Sequence, residues 1–362
     1  MTATVTFASA RPRELRDRAT LPMLLVKMLK KWDFARRFRD KRVAIKMHLG
    51  GGVGYSTIHP LLVNRVVKAV VEAGGKPFIT DTAGAVLSAR ERGYTQEVLG
   101  APLLPVAGLD DKYVYSRKIN FRTMKTAELA GTIVDADALI VLSHGKGHGH
   151  SGFGGAIKNI AMGCVDGATR QKIHRLMAAM FKWNAKKCTG CLLCRDNCPN
   201  HAISYACKKI SINDHDCKYC MHCQLACPQG AITIDQSGYR HFQHGMALVT
   251  REVLKNFAPS RVLFITALLN VTPYCDCWGF TTPSIIPDVG IVAGDDLVAT
   301  ETAAIDLIKA ENFIEGSLPP PLKRSGSGHL FQQIHGKSPY IQVEECHKLK
   351  LGRPKYKLVE IT

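Results

Sequence analysis

Apolar positions along this chain follow two rhythms. Val43–Leu49, Pro77–Asp81, Ala138–Ser143, Arg261–Ala267 and Ile285–Ala293 are short runs of nearly continuous apolar character, the pattern of strands buried on both faces. Helical patterns stand between them. Pro60–Glu72 follows the first strand across a glycine-rich turn, Gly50–Thr57, and stops at Gly74-Gly75. A second helix covers about His244–Asn256, and a third opens after Asp295-Asp296 with acidic residues in its first turn. Strand, helix and strand in succession predict an α/β fold with a mostly parallel sheet. Upstream, Leu24, Leu25, Met28, Leu29, Trp32 and Phe38 recur at helical spacing among Lys and Arg, which predicts one amphipathic basic helix over Leu21–Phe38. Such a helix docks by its apolar face, and its charged face suits an acidic partner.

The rhythm stops between Cys188 and Pro228. Cys188, Cys191, Cys194 and Cys198 are followed by Pro199, and Cys217, Cys220, Cys223 and Cys227 by Pro228, so the spacing C-x2-C-x2-C-x3-C-P occurs twice in tandem. That spacing wraps three thiolates around one face of an iron-sulfur cubane and sends the fourth to a second cluster. The ligand sets are then Cys188, Cys191, Cys194 and Cys227 for one [4Fe-4S] cluster, and Cys217, Cys220, Cys223 and Cys198 for the other. A tetrahedral zinc site explains neither the Cys-Pro endings nor the repeat. The segment resembles a bacterial-type ferredoxin of two [4Fe-4S] clusters over roughly Lys182 to Gln236, and its ferredoxin-like α+β character implies short strands after each Cys-Pro, at Asn200–Ser204 and Gln229–Ile234.

Eight of the 13 cysteines are thereby assigned, and the remaining Cys164, Cys207, Cys275, Cys277 and Cys346 show no paired pattern. Thiols in this number suit a reducing compartment. The start of the chain lacks a signal-peptide pattern and no apolar run approaches a membrane span, so a cytoplasmic protein without a transmembrane segment is expected. The formal charge of +18 falls to about +14 with two clusters bound. Half of the formal excess lies in residues 1–50, where 13 Lys and Arg face 4 acids. Aromatic and basic residues are not interleaved as in a base-stacking surface, so nucleic acid is an unlikely partner.

Candidate chemistry in the host lies in loops that leave strand ends, where parallel sheets keep their sites. The turn Gly50–Thr57 lacks the Lys-Ser/Thr of a P-loop and the third glycine of a dinucleotide fingerprint. After Ser143 comes a loop with His144, His148, His150, Gly152, Gly154, Gly155, Lys158 and Asn159, ending at Cys164. Its glycines let backbone approach a ligand closely, which makes Gly152, Gly154, Gly155, Lys158 and Asn159 candidate cofactor contacts. His144, His148, His150, Lys158 and Asp81 are the candidate catalytic residues. Cys275 and Cys277 are one residue apart, so on an extended strand both thiols face one side, and with Cys164 they form a possible third metal or cluster site. The three histidines could complete it, and Asp276 or Asp81 could orient a ligand.

Four stretches, Lys76–Thr82, Gly152–Cys164, Cys275-Asp276-Cys277, and Pro287–Ile291 with Asp295–Ala299, together resemble domain-of-unknown-function family 362. Its members are commonly labelled iron-sulfur proteins and often carry such a cysteine-rich insert; Leu297 stands where the family pattern expects proline. A fainter similarity links Gly152–Lys158 to the glycine-lysine loop of the nickel-pincer lactate racemase family. The expected organisation is a basic helical segment at 1–42, a host domain at 43–180 and 238–318, an inserted two-cluster domain at 181–237, and a linker with a basic tail at 319–362. The expected function is passage of single low-potential electrons through two clusters, to or from a substrate, metal or redox partner protein at the host. An oxidoreductase fits that reading; the alternative is a binding, scaffold or metal-delivery module with structural or sensory clusters.

Overall fold

In the computed structural model the described residues are 2–177, 181–198, 201–213, 217, 221–235, 237–320 and 322–362. Eight strands form the central sheet: β1 (Ala3–Ser9), β2 (Arg42–Met47), β3 (Lys76–Asp81), β4 (Leu103–Pro105), β5 (Ala138–His144), β6 (Val262–Leu268), β7 (Gly290–Gly294) and β8 (Tyr356–Glu360). Their spatial order is β8-β1-β7-β6-β5-β2-β3-β4. From β6 to β4 every pairing is parallel, with Ile45 opposite both Ile140 and Ile79. β7 runs antiparallel to both neighbours, β6 and β1. This is an α/β fold with a mostly parallel sheet.

Period-two alternation divides each central strand between two cores. Val43, Ile45 and Met47 of β2 face helices α1 (Leu21–Lys30) and α2 (Pro60–Glu72), where Leu25, Met28, Val63 and Val66 are buried. Ala44 faces the opposite layer, built from α3 (Ala156–Gly163), α4 (Ser237–Leu254) and α5 (Leu297–Asp306). Covered faces explain why these strands read as continuous apolar runs.

Three sequence expectations are corrected. The basic helix does not run through to Phe38: α1 stops at Lys30, and a separate turn, Phe34–Phe38, begins after Asp33. Asp33 takes a left-handed φ of 44° and its side chain accepts a hydrogen bond from the Arg36 amide, a cap that cannot sit inside a helix. Ile285–Val289 is not strand, since β7 begins at Gly290 after Pro287, and Asp288 accepts instead from the Asn270 amide. Finally, the stretch expected to be one loop from His144 to Cys164 contains a hairpin, Lys146–His148 with Gly152–Gly154, and then α3.

The cysteine-rich segment has its own small core of Cys194, Ile203, Ile210 and Ile232. Phe181–Trp183 pairs antiparallel with Ile232–Ile234, so the segment's two ends lie side by side. Within it Ile203–Ala206 pairs with Lys209–Ile212. The tandem repeat is visible in the backbone: Leu192 and Met221 hold matching positions in the two runs, both have a left-handed φ (63° and 71°), and each precedes a short helix.

Candidate functional site

The carboxyl ends of β2, β3, β5 and β6 open on one edge of the sheet, and chain order reverses across β2 and β5, the position where open α/β sheets bind ligands. A cavity of about 330 Å³ lies there. His48 comes from just beyond β2, Asp81 from the end of β3, His144 from the end of β5, and Cys275 and Cys277 from the loop after β6. Lys158 and Asn159 enter from the first turn of α3 and His174 from the helix Gly167–Arg175.

Two buried ion pairs brace this edge. Lys46 is fully buried and donates to Asp81 Oδ1 (3.0 Å), Asn159 Oδ1 (2.7 Å) and the Met47 carbonyl (2.6 Å). It fits because residue 163 is glycine, where a Cβ would collide with the Lys46 ammonium. Asp81 accepts also from the Leu49 and Thr82 amides. Burial alone would raise its pKa, but Lys46 and His48 outweigh that and hold the carboxyl below the usual range. The second brace joins Lys146 to Asp276 Oδ1 (2.6 Å) and Ser56 Oγ (2.7 Å). Here too burial is outweighed, by His144 and Lys146, and Asp276 stays ionised.

The expected residues divide into those that brace and those that face the cavity. His144 has both ring nitrogens occupied, Nδ1 with Asp276 Oδ2 (3.0 Å) and Nε2 with the Leu269 carbonyl (2.6 Å). Asn159 spends its amide on the Lys46 and Leu142 carbonyls and Ser143 Oγ, tying β2 to β5. Gly152 is packed under Lys337 and Pro339, away from the cavity lining, whereas Gly154 and Gly155 line it. At His148, Nδ1 accepts from the His150 amide (3.2 Å), which leaves Nε2 to carry the proton. His150 is buried with both ring nitrogens lacking a hydrogen-bond partner among the described residues. Burial first, then His148 and His174, push its pKa well down and keep it neutral.

Cys275 and Cys277 do not lie on an extended strand. They flank Asp276 at the start of a single helical turn, Asp276–Trp278, and their Sγ atoms are 2.6 Å apart, longer than the ~2.05 Å of a disulfide. Lys158 Nζ is 3.0 Å from Cys275 Sγ. Burial opposes ionisation of Cys275, but Cys277, Lys158 and His148 prevail, so this pair carries its thiolate on Cys275 and its proton on Cys277. Cys164, expected beside them, is instead buried in the core at the end of α3, where burial pushes its thiol up to about 12. The third ligand-type group beside the two thiols is His48, which sequence reasoning passed over because it falls inside an apolar run. Its signal was position: a histidine at the carboxyl end of a buried parallel strand, next to a glycine-rich turn.

In the cysteine-rich segment, Cys188, Cys191, Cys194 and Cys227 line one small cavity, so a cysteine of the second run sits with three of the first. Cys198, Cys217 and Cys223 are half-buried; Cys220 lies outside the described residues. The Ala202 and Ala231 amides each point at a cysteine sulfur, of Cys198 and Cys227 respectively, at 3.3 Å. The second run touches the host. His222 stacks on Trp278 with ring centres 5.6 Å apart, and its Nε2 is hydrogen-bonded to the Tyr274 hydroxyl (2.5 Å). Lys337 reaches Met221 Sδ from the other side (3.1 Å).

None of the curated proteins matches the chain. Among solved structures, it is similar to the lactate racemase apoprotein from Thermoanaerobacterium thermosaccharolyticum, at 11% identity and a TM-score of 0.32, over 74% of this chain and 51% of that one. The chain thus spans about half the length of that protein. No described helix is long and apolar enough to cross a membrane. The profile of one family, described as a domain of unknown function (DUF362), matches residues 43–306, most of the chain, and the protein belongs to that family.

Proposed function

We propose that this protein is an iron-sulfur redox protein in which a two-cluster segment exchanges electrons with a ligand, metal or partner at the host cavity. The observation that carries this reading is the gathering of Cys188, Cys191, Cys194 and Cys227, from two separate runs, around one cavity. A lone structural knot would need only neighbours in sequence. The donor set is chemically suited to the group: four thiols, with the Ala231 backbone N–H turned towards the sulfur of Cys227. When bound, such clusters supply low-potential one-electron transfer.

The chain's own contribution is placement. Left-handed backbone at Leu192 turns the first run where Cys188, Cys191 and Cys194 gather, and Met221 takes the same conformation in the second. The amides of Ala202 and Ala231 donate towards Cys198 and Cys227, a contact that tunes reduction potential. In the host, the neutral ring of His150 and the ammonium of Lys158 can offer a bound molecule polar contacts, while the braced carboxylates of Asp81 and Asp276 fix the walls.

Iron content and magnetic resonance test the proposal. Anaerobically reconstituted chain should hold about eight iron, with interacting signals in its reduced-state paramagnetic resonance spectrum. Cys198→Ser should damage the cluster site of Cys217, Cys220 and Cys223, and spare that of Cys188, Cys191 and Cys194. Fewer than about four iron per chain, or loss of the site next to Cys198 in sequence, would overturn the proposal or its crossed ligand sets respectively.

A further inference from the structure

We infer that Cys275, Cys277 and His48 form a mononuclear site for a divalent metal of the zinc class, with its remaining position open to the host cavity. The site is separate from the cysteine-rich segment and does not depend on that segment's cofactors.

Geometry comes first. One ligand atom from each of the three residues lies within 4.8 Å of the other two, close enough for modest side-chain movement to place all three around one ion. Their anchors are rigid: His48 follows a strand paired on both sides, and the two cysteines sit on a helical turn closed by the Trp278 and Gly279 amides.

The tautomers distinguish ligand from neighbour. His48 turns Nδ1 towards the Asp81 carboxylate at 3.4 Å, so in the neutral ring Nδ1 carries the proton and the lone pair lies on Nε2. Nε2 is buried and has no hydrogen-bond partner of good geometry among the described residues. Carboxylate, imidazole and metal in line is the arrangement that orients metal-binding histidines. Asp81 is itself fixed by Lys46 and two amides, which makes it a positioning residue. His148 is the opposite case. Amides of its own loop occupy Nδ1, so the proton sits on Nε2, which suits donation to a cysteine sulfur and not coordination.

Donor chemistry sets the metal class. Two thiolates and one imidazole select zinc or a related first-row ion over magnesium or calcium, and three protein ligands leave a place for water or substrate. Lys158, 3.0 Å from Cys275 Sγ, offsets the charge that two thiolates would bring beside the buried Cys275. His48, Cys275 and Cys277 all line the cavity, as does His150, which is neutral and without a hydrogen-bond partner among the described residues.

The probe is zinc added to the full chain with its cysteine-rich segment already loaded with iron. One zinc per chain should bind, with X-ray absorption showing two sulfur neighbours at about 2.3 Å and nitrogen or oxygen at about 2.0 Å. In the same wild-type sample zinc should protect Cys275 and Cys277 from alkylation, and a chelator should restore their reactivity. Cys275→Ser with Cys277→Ser should abolish this binding, and His48→Gln should weaken it about 100-fold with the iron unchanged. Asp81→Asn should weaken it about 10-fold, whereas Cys164→Ser should leave it intact. Unprotected Cys277 in wild-type chain, a sulfur count other than two, or unaltered zinc affinity in His48→Gln would each overturn the site. Iron loss alone would touch only the electron-transfer proposal.

Discussion

Glu301 shows how much one buried side chain can organise. It projects from α5 to the start of α3, where its two oxygens accept from the amides of Ala156 (2.8 Å) and Ile157 (3.1 Å). These are donors that the helix itself leaves unpaired. Gly155 makes the approach possible, since a Cβ there would meet the carboxylate. Burial raises the carboxyl to about 7 despite those two bonds. Between 4.5 and 7 the folded chain therefore keeps a proton that the unfolded chain has released. Its stabilising effect is full below 4.5 and is lost as pH rises through 7. Glu301→Gln should remove that slope and, by setting an amide donor against a backbone donor, cost about 1–3 kcal/mol. Denaturant titrations of both chains at a series of pH values decide it; parallel stability profiles would show that Glu301 does not titrate in this range.

Among the elements, those with covered faces were legible and those that depend on distant partners were not. β2, β3, β5 and β6 announce themselves because both faces are buried and most of their side chains are apolar. β8 ends the sheet and pairs with β1 across the whole length of the chain, so no local pattern marks either strand. The cavity's loops were legible as glycine and histidine clusters, but the division into bracing and open residues was not, since Asn159 and His144 are defined by partners more than a strand away. His48 was hidden by its apolar neighbours. The side-by-side ends of the cysteine-rich segment carry a prediction. Because Phe181–Trp183 already pairs with Ile232–Ile234, replacing residues 184–231 by Asn-Gly should close a hairpin and leave the host folded. A shortened chain that lacks a cooperative thermal transition would show that the segment and host fold as one unit.

On the scale of the whole molecule, charge and contact divide the labour differently. The basic amino-terminal region is partly structural: Arg37 reaches Asp295 (2.7 Å) and the Trp32 carbonyl (2.8 Å), while Arg36 and Arg39 stay exposed. These two, with the exposed Lys30 and Lys31 nearby, are placed to meet an acidic surface, whereas Arg37 is not.

The repeat in the cysteine-rich segment is symmetric in spacing but not in surroundings. Where the second run has His222, stacked on Trp278 and bonded to Tyr274, the first has Leu193, 41% exposed. Two equivalent halves thus acquire a compass bearing, one pole turned outward and the other moored one residue from Cys275. Mirror-image substitutions should then give unlike phenotypes. On the proposed redox reading, Leu193→Glu should alter how fast an external protein reductant loads the chain, and His222→Leu should leave loading unchanged but slow reoxidation by an acceptor at the host cavity. Stopped-flow bleaching of cluster absorbance separates the two rates, and equal effects of both changes on both rates would mean that the segment has no preferred direction.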